Sequence, residues 1–389
     1  MNASPYLLPE HEALRDTIRR FVADRVLPQA DAWERTGCVP REILREMGAL
    51  GLFGIRYDPR YGGSGLDTLA TAVLAEELGR STYGGFAITV LVHTDMASPH
   101  LDRAGTADQK ARYLPAIVAG ECITAVAMTE ADAGSDLAGM RTRAERDGDC
   151  WVLNGGKMFI TNGVHADLYI VAAKTAESGG PVTDAGRRHR RMSMFLVERG
   201  TPGLSVARPL EKTGWLSSDT AELVFDQCRI PATQLLGDEG RGFYALVRNL
   251  QNERIVLGAQ ALGEAARAIE LTLDWVTQRR AFGATLWDQQ AIRQRLAMRS
   301  AQVTAARALV YETAWRDARG QQVVAEVSMV KALAGTLVNE VMYDCVQFHG
   351  GMGVIREMAI ERMARDARVQ AIGGGATEVM LEEIAKRMR

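Results

Sequence analysis

The stretch GECITAVAM, from Gly120 to Met128, marks the point at which the chain changes character. Before it, apolar residues such as Leu14 and Ile18 recur at helical spacing. After it come short runs rich in β-branched and aromatic residues, separated by Gly, Asn and Asp. The pattern predicts a helical domain over residues 1–120 and a small β domain over residues 121–232.

The helical pattern returns beyond this β region, in three long segments at residues 243–277, 289–319 and 325–348. Long helices joined by short connections are typical of a four-helix bundle, which we predict over residues 233–389. Strands and helices do not alternate, and no GxGxxG follows a predicted strand. The predicted fold class is therefore α+β: helical domain, small β-barrel or sandwich, C-terminal bundle.

Composition excludes several classes of protein. The 389 residues are 47% hydrophobic and carry a net charge of −2, so no nucleic-acid or membrane-surface partner is expected. The five cysteines are scattered and never form CxxC, which argues against a disulfide framework or a metal site. No apolar run is long enough to span a bilayer. Without a signal-peptide or transit-peptide pattern at the N-terminus, we expect a cytoplasmic protein.

A carboxylate interrupts the apolar face of the first bundle helix. At 100° per residue, Glu253 and the apolar residues of the stripe together fall within an arc of about 80°. Burial of a carboxylate raises its pKa toward the range useful for proton abstraction, unless a core arginine neutralises it. Periodicity alone leaves both interpretations open. The apolar residues of the stripe are Phe243, Leu246, Leu250, Leu257 and Ala261.

Two loops also admit two interpretations. The glycine run Gly373-Gly374-Gly375 is either a flexible turn or a place where backbone closely approaches a ligand. The loop over residues 177–191 ends in a basic cluster, which is either solvated or contacts a ligand phosphate.

Several stretches, in order along the whole chain, together resemble the signatures of the acyl-CoA dehydrogenase family. They are Ala127–Asp136 (AMTEADAGSD), Lys157–Gly163 (KMFITNG), Lys212–Pro231, Arg279–Gly283 (RRAFG) with Gln290, Gln347–Gly353 (QFHGGMG) and Arg365–Ala367. The family's architecture is the same order of helical, β and helical domains.

The resemblance implies an FAD enzyme that oxidises an acyl-CoA to the trans-2-enoyl-CoA and passes electrons to electron-transferring flavoprotein. It also implies a homo-oligomer, usually a dimer of dimers, in which a neighbouring subunit completes the FAD site. Ser135 resembles a contact to the pantetheine arm of CoA as well as a cofactor contact. The implied FAD-binding residues are Met128, Thr129, Gly134, Ser135, Phe159, Ile160, Thr161, Arg279, Phe282, Gln290, Gln347, Gly351 and Thr377.

The family places its catalytic glutamate at one of two positions. The commoner position corresponds to Gly374, and the other, typical of isovaleryl-CoA and long-chain dehydrogenases, corresponds to Glu253. The resemblance thus implies Glu253 as the base and Gly374 as a backbone N–H donor to the thioester carbonyl. Tyr244 and Arg254, with Ser135 and Gly374, are the implied substrate contacts.

Two departures and two alternatives accompany this resemblance. Ala131 replaces a usual proline, and Ala376 replaces a threonine that commonly contacts FAD. Relatives on the same fold use reduced flavin and oxygen to oxidise other substrates, but they often lack the glutamate. A catalytically silent flavin- or CoA-binding subunit is the non-enzymatic alternative. The acyl chain, and the choice between CoA and an acyl-carrier protein, stay open.

Overall fold

The N-terminal part of the computed structural model, which describes residues 5–175 and 192–388, is helical. Its second half is so apolar that α4 and α5 are buried along their whole length. A π-helical segment, Val92–Ala97, connects α5 to α6. The helices are α1 Pro9–Phe21, α2 Ala30–Thr36, α3 Arg41–Ala49, α4 Thr68–Gly79, α5 Gly84–Leu91, α6 Ser98–Ala104 and α7 Ala107–Val118.

The β part forms one eight-stranded sheet within the described residues. Its strands run in the order β6-β7-β3-β2-β4-β5-β8, and β1 pairs in parallel with β4. The strands are β1 Thr124–Ala127, β2 Arg143–Asp147, β3 Cys150–Thr161, β4 Leu168–Lys174, β5 Met192–Glu198, β6 Leu204–Pro209, β7 Thr220–Pro231 and β8 Leu235–Leu236.

The sequence pattern predicts two short β runs, at residues 151–153 and 157–161, where the structure has the single strand β3. The strand is continuous because Gly155 adopts φ +146° at a register shift opposite β7. A Cβ there would lie 2.5 Å from Oγ1 of Thr142. The glycine therefore permits a close approach within the sheet and does not end the strand.

The C-terminal part is again helical, and its longest helix is the centre of the fold. The elements are α8 Gly242–Gln278, a hairpin of β9 Arg280–Ala281 and β10 Ala284–Thr285, α9 Gln290–Asp317, α10 Val324–His349, α11 Ala359–Ala367 and α12 Thr377–Ala385. Helix α8 packs against α9 and α10, and also against α4. The two helical parts consequently share one hydrophobic core, whereas the sheet also has its own.

The predicted fold class, with helical, β and helical parts in that order, is confirmed. None of the described helices combines the length and apolarity required to cross a membrane. The basic cluster predicted at the end of the 177–191 loop lies outside the described residues.

Candidate active site

Glu253 lies in the core that α8 shares with the N-terminal helices, and only 4% of it is exposed. Burial raises the pKa of its carboxyl to about 7. Asn249, one turn earlier on α8, opposes this by donating a hydrogen bond from Nδ2 to Oε1 at 3.0 Å. Among residues 5–175 and 192–388, no arginine forms an ion pair with this carboxylate. The side chain is therefore a buried acid that can exchange a proton near neutral pH.

Helix α8 is fixed to the N-terminal part beside this carboxylate. The side-chain amide of Asn249 also donates to the carbonyl oxygens of Asp95 and Met96, at 3.3 Å and 3.1 Å. Asn252 donates to the carbonyl oxygen of Asp95 at 3.0 Å. Both carbonyls belong to the π-helical segment, where helical hydrogen bonding is irregular. These bonds hold the backbone around Glu253 in a defined position.

The glycine run forms a tight loop against α8. Gly374 and Gly375 adopt φ values of +68° and +113°, which residues other than glycine rarely adopt. A Cβ on Gly374 would lie 2.3 Å from Cδ1 of Leu257. Leu257 lies one turn beyond Glu253 and shares its face of the helix. The loop and the buried carboxylate are thus neighbours along one face of α8.

Lys331 of α10 holds this loop in place through hydrogen bonds to its backbone. Its buried Nζ donates hydrogen bonds to the carbonyl oxygens of Gln370, at 2.6 Å, and Gly375, at 3.2 Å. Burial, assisted by the charge of Arg254, lowers the pKa of Lys331 to about 8. Arg254 itself reaches toward the loop, since its Nε would lie 3.8 Å from a Cβ on Gly375. That Nε has no hydrogen-bond partner among the described residues.

The candidate flavin contacts of the β part lie on strand β3 and on the segment that follows β1. Met158 of β3 donates a backbone hydrogen bond to the carbonyl of Thr129 at 2.9 Å, and Lys157 donates to the carbonyl of Met128 at 2.9 Å. Phe159 follows, with φ +60° and 64% of its surface exposed. Thr161 ends the strand. An exposed aromatic ring on a strained backbone, two residues before Thr161, fits a planar aromatic ligand such as a flavin ring.

The neighbouring residues of this strand and loop differ in exposure. Ile160 is buried in the sheet core. Gly134 and Ser135 are exposed, on a loop whose end is fixed by Glu130. The carboxylate of Glu130 pairs with Lys157 at 2.8 Å and accepts a hydrogen bond from the backbone amide of Thr142 at 3.0 Å.

A second group of candidate residues lies at the far end of α8. The 25 residues from Glu253 to Gln278 span roughly 38 Å at 1.5 Å per residue. Trp275 near that end donates from Nε1 to the carbonyl of Phe348, next to Gln347 and Gly351, at 3.2 Å. Arg279, Phe282 and Gln290 also follow this end, and Phe282 is 98% exposed. The structure therefore separates this group from the base within one subunit.

Two further candidates are also placed. Thr377 begins α12 beside the glycine loop, and its hydroxyl donates to the carbonyl of Ala371 at 3.4 Å. Tyr244 is half exposed, under the guanidinium of Arg241. Nine residues separate Tyr244 from Glu253, so the two side chains leave α8 on opposite sides.

Sequence reasoning missed three buried polar residues of this site, His100, Asn249 and Lys331. Lys331 was detectable, because it interrupts the apolar stripe of α10 formed by Val327, Ala334 and Val338. Asn249 and His100 gave no comparable signal, since their importance comes from contacts between elements distant in the sequence.

Comparison with known proteins decides the family. Acyl-CoA dehydrogenase models of the N-terminal, middle and C-terminal domains match residues 8–121, 125–228 and 240–389. The chain belongs to the acyl-CoA dehydrogenase family. The long-chain specific acyl-CoA dehydrogenase, mitochondrial, of Mus musculus is 40% identical over 386 residues, covering 97% of this chain and 86% of that protein. The acyl-CoA dehydrogenase crystal structure from Geobacillus kaustophilus has a TM-score of 0.94 at 39% identity, covering 99% and 100% of the two chains.

Family membership confirms the predicted enzyme class, an oxidoreductase that dehydrogenates acyl-CoA with a flavin. A glutaryl-CoA dehydrogenase from Mycobacterium smegmatis, solved in complex with FADH2, has a TM-score of 0.91 at 29% identity, covering 98% and 95% of the chains. A chain from a structure titled as the electron transferring flavoprotein of Acidaminococcus fermentans has a TM-score of 0.93 at 32% identity, covering 100% and 99% of the chains. Family membership and this FADH2 complex therefore support FAD, the predicted cofactor, as the flavin of this enzyme.

Proposed function

We propose that this acyl-CoA dehydrogenase converts an acyl-CoA thioester to the trans-2-enoyl-CoA, with Glu253 as the base that removes the α proton. The observation that supports this most directly is the position of Glu253. It is a buried carboxylate with a pKa near neutrality, on the helix face that meets the glycine loop. Such a group can accept a proton at physiological pH from a carbon acid held beside it.

The α proton of a thioester is weakly acidic, so the developing enolate oxygen requires hydrogen-bond donors. The glycine loop would supply one donor, the backbone N–H of Gly374, and bound FAD would supply a second from a ribityl hydroxyl. Lys331 holds this loop through two carbonyl groups, so the donor is oriented before substrate arrives. Arg254 adds positive charge beside the same loop.

The reaction removes two hydrogens from the substrate, one as a proton and one as a hydride. The α proton goes to the carboxylate of Glu253, a hydride leaves the β carbon, and the carbon–carbon double bond forms. Bound FAD would supply the acceptor for that hydride at N5, and electron-transferring flavoprotein would take up the two electrons. The protein supplies position: we assign Phe159, Thr161 and Thr129 to the flavin, and Glu253 with the glycine loop to the thioester.

A homo-oligomer completes this proposal. Arg279, Phe282, Gln290, Gln347 and Gly351 lie roughly 38 Å along α8 from the base. Exposed apolar side chains surround that end of the bundle, including Phe282, Tyr343 and Val354. Burial of these side chains against a second copy would bring the group to the flavin of the neighbouring subunit, which favours at least a dimer.

Anaerobic mixing of the purified flavoprotein with a panel of acyl-CoAs tests the activity. We expect at least one thioester to bleach the flavin absorbance, with long or branched chains preferred, since the base lies on α8. Rapid peroxide or hydroxylated product from the reduced protein, without bleaching by any thioester, would instead indicate an oxygen-using enzyme.

The base is tested with Glu253→Gln, which keeps the shape and removes the carboxylate. We expect FAD to stay bound and reduction to stop. Glu264→Gln, at another buried glutamate of α8, is the matched control and is expected to be reduced normally. Near-normal reduction of Glu253→Gln would remove Glu253 from this role.

A further inference from the structure

Two side chains of the short helix α6 lie close to Glu253, and neither has a role in the reaction proposed above. His100 lies beside the carboxylate, with 4.0 Å between Nε2 and Oε1 of Glu253, a separation longer than a hydrogen bond. Arg103, on the same helix, donates from Nη1 to Oδ1 of Asn249 at 3.1 Å. Asn249 in turn donates to Oε1 of Glu253. Helix α6 thus contacts the base directly through His100 and indirectly through Arg103 and Asn249.

The imidazole of His100 is completely enclosed. Only 2% of the residue is exposed, and Nε2 has no hydrogen-bond partner among the described residues. Burial next to the charge of Arg103 lowers the pKa of His100 to about 3, so the ring is uncharged in the working range. A buried polar atom without a partner is costly, and the acceptor it faces is the carboxylate.

We propose that His100 is a positioning residue for Glu253, whose uncharged imidazole presents Nε2–H to the carboxylate while the base is ionised. An ionised carboxylate only accepts hydrogen bonds, so the tautomer with a proton on Nε2 suits the facing atom. Asn249 and His100 both face Oε1 of Glu253. Together they restrict this oxygen from one side and leave Oε2 to accept the α proton. This inference rests on Glu253 being the base.

Other charged groups around Glu253 set the background for its titration. Arg103 on α6 and Arg254 on α8 both favour the ionised form. Asp95, on the π-helical segment, is buried, and its own pKa is raised to about 6. It is linked to α8 through Asn252. A substitution at His100 changes none of these groups. A shift in the titration of Glu253 would therefore be due to the loss of the imidazole.

The test compares two nearly isosteric variants, His100→Gln, which keeps an N–H donor, and His100→Met, which lacks one. Loss of a donor to a buried carboxylate disfavours its ionised form. We expect His100→Met to shift the Glu253 titration upward by roughly one pH unit, and His100→Gln to stay close to the parent. If His100→Met loses FAD, the size-matched pair His100→Asn and His100→Leu repeats the comparison.

Two readouts separate this inference from the proposed function. The first is an infrared pH titration of the holoenzyme, following the protonated carboxyl band that disappears in Glu253→Gln. The second is the acid limb of the pH profile of kcat/KM. The infrared titration requires no turnover, so it stays informative even if no acyl-CoA is oxidised. Identical titrations in the two variants, or a downward shift in His100→Met, would overturn the inference.

Discussion

Asn249 donates a 3.0 Å hydrogen bond to Glu253 across one turn of α8, and the same amide holds the backbone of Asp95 and Met96. One side chain therefore both stabilises the ionised base and fixes the base's helix to the N-terminal part. Desolvation still dominates, because the pKa of Glu253 is raised to about 7.

The pH dependence of turnover follows from that value. Proton abstraction requires the ionised carboxylate, and the raised pKa leaves most of it protonated below neutrality. We expect kcat/KM to rise about tenfold per pH unit below pH 7 and to level off above it. Stopped-flow flavin reduction between pH 5.5 and 9 measures this; a profile that stays flat through about pH 7 would contradict the assignment.

Gly374→Ala tests the close contact between loop and helix. The added Cβ would meet Leu257 at 2.3 Å on a left-handed backbone, so we expect a loss of about 2–4 kcal/mol in unfolding free energy, or loss of activity through a displaced loop. Gly373→Ala is the matched control, because its Cβ would lie 3.6 Å from the nearest atom at ordinary φ. Chemical denaturation and flavin reduction should separate the two variants clearly.

Lys331→Met removes both hydrogen bonds beneath the loop at nearly constant volume. The carbonyl groups of Gln370 and Gly375 lose their donor, which should cost about 1–3 kcal/mol in unfolding free energy. We also expect kcat to fall more than FAD affinity, since the displaced donor is Gly374. Lys386→Met, at an exposed site, should change neither quantity.

Glu264 makes stability depend on pH. Burial raises its pKa from 4.5 to about 8, so the native state keeps a proton that the unfolded chain releases. The resulting stabilisation is complete below pH 4.5 and is lost as the pH rises to about 8. Glu264→Gln should therefore raise the unfolding free energy at pH 9 by on the order of 2 kcal/mol, with little change near pH 5.

Thermal unfolding of parent and variant across that pH range measures the effect. Glu239→Gln, at an exposed glutamate, is the matched control for the substitution itself. Parallel curves for Glu264→Gln and parent would show that Glu264 is already ionised in the native protein.

Mixed oligomers test the sharing of active sites. If Arg279 serves the flavin of a neighbouring subunit, Arg279→Gln and Glu253→Gln should each be inactive alone. Hybrids formed by co-expression would contain sites with an intact base from one chain and an intact Arg279 from the other. We expect such hybrids to regain roughly a quarter of parental activity per site by random pairing. No recovery in verified hybrids would mean that each site takes both residues from the same subunit.

The order of the three parts and the limits of the long helices could be predicted from the sequence, because periodicity over many residues is a strong signal. The predicted helix over residues 243–277 corresponds to Gly242–Gln278. The same periodicity made Glu253 conspicuous. Strand β2 was missed because Arg143–Asp147 is mostly polar, and all of its residues except Ala144 are exposed. The contacts of His100 with Glu253 depend on packing between distant elements, which no local pattern encodes.

The contact between Leu257 and Gly374 also limits where this chain could carry its base. A carboxylate at position 374 would require a β carbon in the space that Leu257 already fills. A glutamate there would therefore require Leu257 to shift or to be replaced by a smaller residue. Packing at residue 257 thus couples the helix position of the base to the loop position.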